Sequence, residues 1–138
     1  MTELTSTELN DELLERLSAS VAVPGYDRRS LRRSIVHIGV GGFHRAHLAT
    51  YVDDLCRAGH TAWAIVGAGV LAQDSAMAVA LGHQDHLYTL ISRGAETADV
   101  RIIGSIVEYI HAHPKPEPLI DAIAAAETQI VSLTVTEG

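Results

Sequence analysis

The sequence predicts an α/β domain: a Rossmann-like, doubly wound, mostly parallel sheet with an N-terminal helical extension. Three observations carry that prediction. Short apolar runs alternate with stretches at helical spacing, an order that calls for parallel strands joined by right-handed crossovers. Two of those runs end directly on glycines, as buried strands feeding tight turns do. Aromatic residues make up only 4% of the chain, so the core must be built from Ala, Val, Ile and Leu, which suits helix-on-sheet packing better than a β-sandwich. At 138 residues the chain fits one domain and can bury roughly 68% of its unfolded surface.

Thr7 opens a predicted helix over residues 8–19, with Leu9, Leu13, Leu14 and Leu17 on one stripe. Packing of that stripe against its own domain is favoured over a partner-binding role. Pro24-Gly25 stops the helix, and the stretch holding Arg28, Arg29, Arg32 and Arg33 reads as a solvated linker, so residues 1–33 form a helix and linker. Residues 34–38 (S-I-V-H-I) form a buried strand. A helix follows over residues 43–58, with Ala46, Ala49, Tyr51, Val52 and Leu55 as its apolar positions and Gly59 as its end. Residues 62–66 make a second strand, again running into glycines, and residues 71–81 a helix stopped by Gly82. Residues 86–92 and 100–103, with Arg93-Gly94 as a turn between them, suggest a hairpin appended to the sheet. Pro114, Pro116 and Pro118 punctuate a loop, residues 119–126 form a short helix, and residues 129–135 a last strand.

The formal net charge of −7 argues against a nucleic-acid or anionic-membrane partner, because the four arginines of the linker make only a short patch. No apolar run reaches the roughly 18 residues of a membrane span, and the acidic start of the chain is unlike a signal peptide. The single cysteine, Cys56, has no partner within the chain, which suits a reducing, cytoplasmic setting.

Chemistry concentrates at Gly39, Gly41 and Gly42, between the first strand and the helix after it. Glycine suits this position twice over. It permits a tight reversal, and it lets backbone approach a pyrophosphate with no Cβ in the way. The helix opening near Phe43 would then aim unpaired N–H groups at the phosphates. The third glycine of the usual G-x-G-x-x-G pattern would fall at His44, so the pattern alone leaves a ligand-free turn equally open. The first carboxylate after the second strand is Asp74, whose plain reading is a charge at a helix start.

The run H-I-G-V-G-G-F-H-R-A-H at residues 37–47 resembles the N-terminal signature of the mannitol dehydrogenase family, the polyol-specific long-chain dehydrogenases. The resemblance continues through W-A-I-V-G-A-G (63–69), Q-D-H-L-Y-T-L (84–90), V-R-I-I-G-S-I (100–106) and I-V-S-L-T-V-T-E-G (130–138). Within the family the pattern is most similar to the mannitol 2-dehydrogenase branch. It implies that residues 34–138 form an NAD(P)-binding Rossmann-like domain serving the zinc-free oxidation of a polyol secondary alcohol to a ketose, with NAD as cofactor. Gly39, Gly41 and Gly42 match the family's pyrophosphate loop, flanked by Phe43 and Arg45. Asp74 matches the position that binds the adenosine ribose, which displaces its plain reading and favours NAD over NADP; Gln73 stands where some relatives carry a second acid. Glu137 matches a glutamate near the nicotinamide and the proton path to solvent.

The family's members are several times longer, and their C-terminal helical domain supplies a catalytic lysine with asparagine and histidine partners. Lys115, the chain's only lysine, matches none of these. The resemblance thus implies a fragment, a truncated product or half of an enzyme completed elsewhere. Such a chain would hold the dinucleotide but act on a polyol only with the missing domain, and an oligomer would cover its exposed domain face. The alternatives are a non-catalytic interaction module that keeps the fold, or the N-terminal part of a hexuronate (fructuronate or tagaturonate) reductase. Eight histidines show no metal-ligand spacing, and solvent-facing or hydrogen-bonded roles are expected for them. Cys56 is expected to be a small core residue.

Overall fold

The computed structural model describes residues 8–135. Thr7, the expected helix start, and Glu137 lie outside the described residues. Asn10 caps the first turn, its side chain accepting from the Leu13 amide at 3.1 Å. A 3-10 turn at Asp11–Leu13 then runs into α1, Leu14–Leu17, so the expected helix is much shorter than residues 8–19. The leucine stripe does pack on its own domain: Leu9, Leu13 and Leu17 share a groove with Val100 and Ile102.

Four strands form one parallel sheet: β1 (Arg33–Ile38), β2 (Ala64–Gly69), then further along the chain β5 (Ile106–His111) and β6 (Ile130–Leu133). Their spatial order is β5-β2-β1-β6, with Ile38 opposite both Ala68 and Leu133. Between β2 and β5 lie β3 (Tyr88–Arg93) and β4 (Ala98–Ile103), an antiparallel pair closed by Gly94 donating to the Thr97 carbonyl. This hairpin is a separate two-stranded sheet, not an extension of the main one.

Helices cover both faces of the sheet. On one side Ile35, Ile65 and Ile106 meet Ala49, Val52 and Cys56 of α3 (Leu48–Arg57) and Leu81 of α4 (Ser75–His83). On the other, Val36, Val66 and Ala68 meet Leu119 of α5 (Glu117–Ala124). Alternate residues of each strand thus serve opposite cores, the signature of a doubly wound sheet. Each of the larger apolar side chains contributes about 1.5–3 kcal/mol by leaving water.

Several elements differ from expectation, each for a physical reason. The helix after the glycines is two pieces, α2 (Gly42–Ala46) and α3, broken at His47 (φ −118°, ψ −88°). The Arg45 carbonyl leaves the ladder there, accepting from the Thr50 and Tyr88 hydroxyls at 3.1 and 2.6 Å. Tyr51 and Leu55 of α3 are exposed, and Asp53 takes a place in the buried stripe. β2 runs on through its glycines, which serve close packing and not a turn: a Cβ at Gly67 or Gly69 would overlap Val40, Tyr109 or Asp74. Gly82 does not stop α4; the turn after it is made by Asp85 and His86 at positive φ.

β5 was not expected at all. Its side chains are mostly half-buried, so the run shows neither a continuous apolar stretch nor clean alternation. Nor is Arg28 a solvated linker residue: its side chain is only 8% exposed and donates to the carbonyls of Gly104, Asp85 and Ile106 while pairing with Asp11. No helix of the described residues is long and apolar enough to cross a membrane.

Candidate functional site

The strand order reverses between β1 and β6, and in open α/β sheets the crevice beyond the carboxyl ends at such a point is where ligands bind. A cleft of about 620 Å³ lies there, lined by Gly39 and Gly41 from the first turn, Leu71, Gln73 and Asp74 from the segment after β2, and Thr134 after β6.

The three glycines do different work. Gly39 sits at φ +95°, where an L side chain is strained, and its Cβ would also stand 3.4 Å from the Thr134 carbonyl. Its amide donates to Ala68 of β2 at 2.8 Å, and the Gly41 amide returns to the Gly39 carbonyl at 2.9 Å, closing the reversal. At Gly41 and Gly42 neither φ nor packing calls for glycine, since a Cβ would meet nothing within 4 Å. What glycine provides at these two positions is open backbone. With only five residues before the break at His47, α2 offers its first amides more than a sizeable macrodipole.

The flanking residues are placed less directly than expected. Phe43 is exposed and stacks on His47, with ring centroids 4.4 Å apart. Arg45 turns back on the loop: its Nε donates to the Gly41 carbonyl at 3.3 Å, and its guanidinium lies 5.9 Å from the Tyr88 ring centroid. It shapes the turn.

Asp74 lies in the cleft, and its Oδ2 also accepts from the Leu71 amide at 2.9 Å, the helix-start role of its plain reading. Its Oδ1 makes no protein hydrogen bond among the described residues. The two roles are compatible, because a carboxylate has two oxygens. The Leu71 carbonyl in turn accepts from His111 Nε2 at 2.9 Å, so the segment after β2 is held from both sides. Tyr109 reaches the same place, its hydroxyl pushed up to about 12 by burial and then by the Asp74 charge.

Sequence reasoning missed the buried histidines at the β6 side. His37 of β1 meets the hydroxyls of Ser132 and Thr134 with its two ring nitrogens, at 2.8 and 3.0 Å. His44 of α2 lies flat on it, centroids 3.7 Å apart and planes 12° from parallel. The expectation of solvent-facing or hydrogen-bonded histidines fails at His44: it is 1% exposed, and neither ring nitrogen has a partner among the described residues. Burial, then His37 and Arg45, lowers it to about 3, while burial lowers His37, partly offset by the Gly39 carbonyl. The signal was adjacency to the glycine turn, but no local pattern says that two rings stack. Cys56 is the expected core residue, its thiol raised to about 11 by burial and Asp53.

Residues 33–138 match the family model described as the mannitol dehydrogenase Rossmann domain. A mannitol 2-dehydrogenase of Neosartorya fischeri is 48% identical over 137 residues, covering 95% of this chain and 27% of that protein. Among solved structures, the Pseudomonas fluorescens mannitol 2-dehydrogenase ternary complex with NAD and D-mannitol superimposes with a TM-score of 0.90 at 42% identity, over 96% of this chain and 27% of that one. A D-sorbitol dehydrogenase in substrate-free form gives 0.86 at 34% identity, over 96% and 28%. The chain thus spans about a quarter of the length of these relatives. On its sequence and its fold alike, the chain belongs to the mannitol dehydrogenase family, as that family's Rossmann domain.

Proposed function

We propose that this chain is the dinucleotide-binding part of an NAD-dependent polyol dehydrogenase, with residues 34–138 as the binding domain and residues 1–33 as an N-terminal helix and linker. The observation that carries this is the pairing, in one cleft, of open glycine backbone at Gly41 and Gly42 with a carboxylate that keeps one oxygen free. Gly39, Gly41, Gly42 and the first amides of α2 would hold the pyrophosphate, with Phe43 and Arg45 flanking it. Asp74 would accept from the adenosine ribose hydroxyls, and its charge would disfavour a 2′-phosphate there. Glu137 belongs to the nicotinamide side. When bound, NAD supplies the hydride acceptor for a secondary alcohol.

By itself the chain binds the dinucleotide and turns over no polyol. General-base chemistry needs a group within reach of the substrate hydroxyl. Among the described residues Asp74 is the one ionisable group lining the cleft, and Lys115, exposed in the proline loop, does not line it. The complex of the Pseudomonas fluorescens relative holds both NAD and D-mannitol, which supports mannitol-type polyols as the substrate class of a full-length enzyme.

Calorimetric titration of the folded chain tests this reading. Heat is expected with NAD and much less with NADP. Asp74→Ala should weaken NAD by about 1.5–3 kcal/mol, the range for a hydrogen bond to a charged group, and narrow the gap between the cofactors. Equal NAD and NADP affinities in both proteins would leave Asp74 as a helix-start charge only. Polyol oxidation by the purified chain would overturn the second half of the proposal.

A further inference from the structure

We propose that His37 is a positioning residue for the nicotinamide half of the dinucleotide, acting through Thr134; this rests on the reading of the cleft as an NAD site. Strand order sets the direction. Asp74 follows β2 and the glycine turn follows β1, so a dinucleotide with its adenosine ribose at the first and its pyrophosphate at the second carries its remaining half toward β6. There the cleft wall is Thr134.

Thr134 is fixed from several sides. Its amide donates to the Ile38 carbonyl at 3.0 Å, its backbone passes close to Gly39, and its hydroxyl meets His37 Nε2 at 3.0 Å. A neutral imidazole offers one N–H and one lone pair, and a hydroxyl can either accept or donate. The Ser132 and Thr134 hydroxyls therefore satisfy His37 whichever tautomer it adopts. His44 stacks on the same ring and spends neither of its own nitrogens on a described partner, so its contribution is a flat face that keeps His37 in plane. The stack and the two hydroxyls join the helix after the glycine turn to the end of β6. An aliphatic residue at position 37 would fill the volume without setting the Thr134 hydroxyl, and through it the wall.

Titrating the folded chain and its variants with NAD and with ADP separates this role from general stability. ADP reaches the Asp74 and glycine-turn subsites but not the β6 side. His37→Phe keeps a stackable ring and loses both hydrogen bonds; Thr134→Val keeps the shape and loses the hydroxyl. Each should weaken NAD about threefold to tenfold, the equivalent of one net hydrogen bond, with ADP affinity held within about twofold. The double variant should be no worse than the weaker single one, since the two residues act in series. Ser132→Ala leaves the Thr134 bond in place and should bind NAD as the parent does. Unchanged NAD affinity in Thr134→Val overturns the proposal, as does a parallel loss of NAD and ADP or an additive double variant. If His37→Phe does not fold, Thr134→Val alone decides. A parent chain that binds neither ligand refutes the dinucleotide reading itself, and this inference with it.

Discussion

At His44 the chain buries an imidazole that finds no hydrogen-bond partner among the described residues. Such a group costs about 1–3 kcal/mol when left unsatisfied, and the structure bears that cost beside the glycine turn. The proton linkage follows from the sign of the shift. Burial, with His37 on β1 and Arg45 on its own helix, lowers His44 from 6.5 to about 3, so between those values the unfolded chain binds more protons than the folded one. Stability is therefore fully present above about pH 6.5 and falls as the pH drops toward 3, with a slope approaching about 1.4 kcal/mol per pH unit from this residue. His37, lowered in the same direction, adds to it. Urea unfolding at pH 7.5 and pH 5 should show the parent losing clearly more stability than His44→Phe. Equal losses in the two proteins would mean that His44 is protonated in the folded state. None of this was legible beforehand: His37 and Thr134 are separated by 97 positions, and only folding brings them together.

Among the elements, the strand–turn–helix unit was the most legible, because its signals are local. An apolar run, three glycines and a helix start lie within a dozen residues, and β1 and the turn formed where expected. The division of labour within the turn was not legible, since it depends on what stands opposite each Cβ. Gly39→Ala meets a positive φ and a close Thr134 carbonyl and should destabilise the fold by roughly 1–2 kcal/mol. Gly41→Ala meets nothing in the protein and should leave the urea midpoint nearly unchanged while weakening NAD strongly. A Gly41→Ala chain that binds NAD as the parent does would place the pyrophosphate elsewhere. α3 shows the opposite limit. A charge on an amphipathic helix reads as solvent-facing, yet Asp53 is 0% exposed because four donors converge on it: the Tyr26 hydroxyl, Arg57 of its own helix, Arg101 of β4 and the Gly104 amide. Convergence of that kind has no period in the sequence.

For the whole molecule, a parallel sheet with helices on both faces is what composition and the alternation of elements predict, while the order β5-β2-β1-β6 and β5 itself come only from the structure, and the hairpin stands apart from the sheet. The Asp53 and Arg28 networks tie the N-terminal extension to the strands and the hairpin, so extension and domain hold one another. Beyond them the molecule leaves Ile120 and Ile123 of α5, and Ile130, Val131, Leu133 and Val135 at the β6 edge, exposed. The proposed function requires that one cleft, at the reversal of strand order, receive the whole dinucleotide. Titration of the isotope-labelled chain with NAD, followed by amide NMR shifts, tests it most directly. Saturable shifts are expected at Gly39, Gly41, Gly42, Leu71, Asp74 and Thr134 together, with the groove beneath Leu9, Leu13 and Leu17 unmoved. Shifts confined to that groove, or none at saturating NAD, would contradict it.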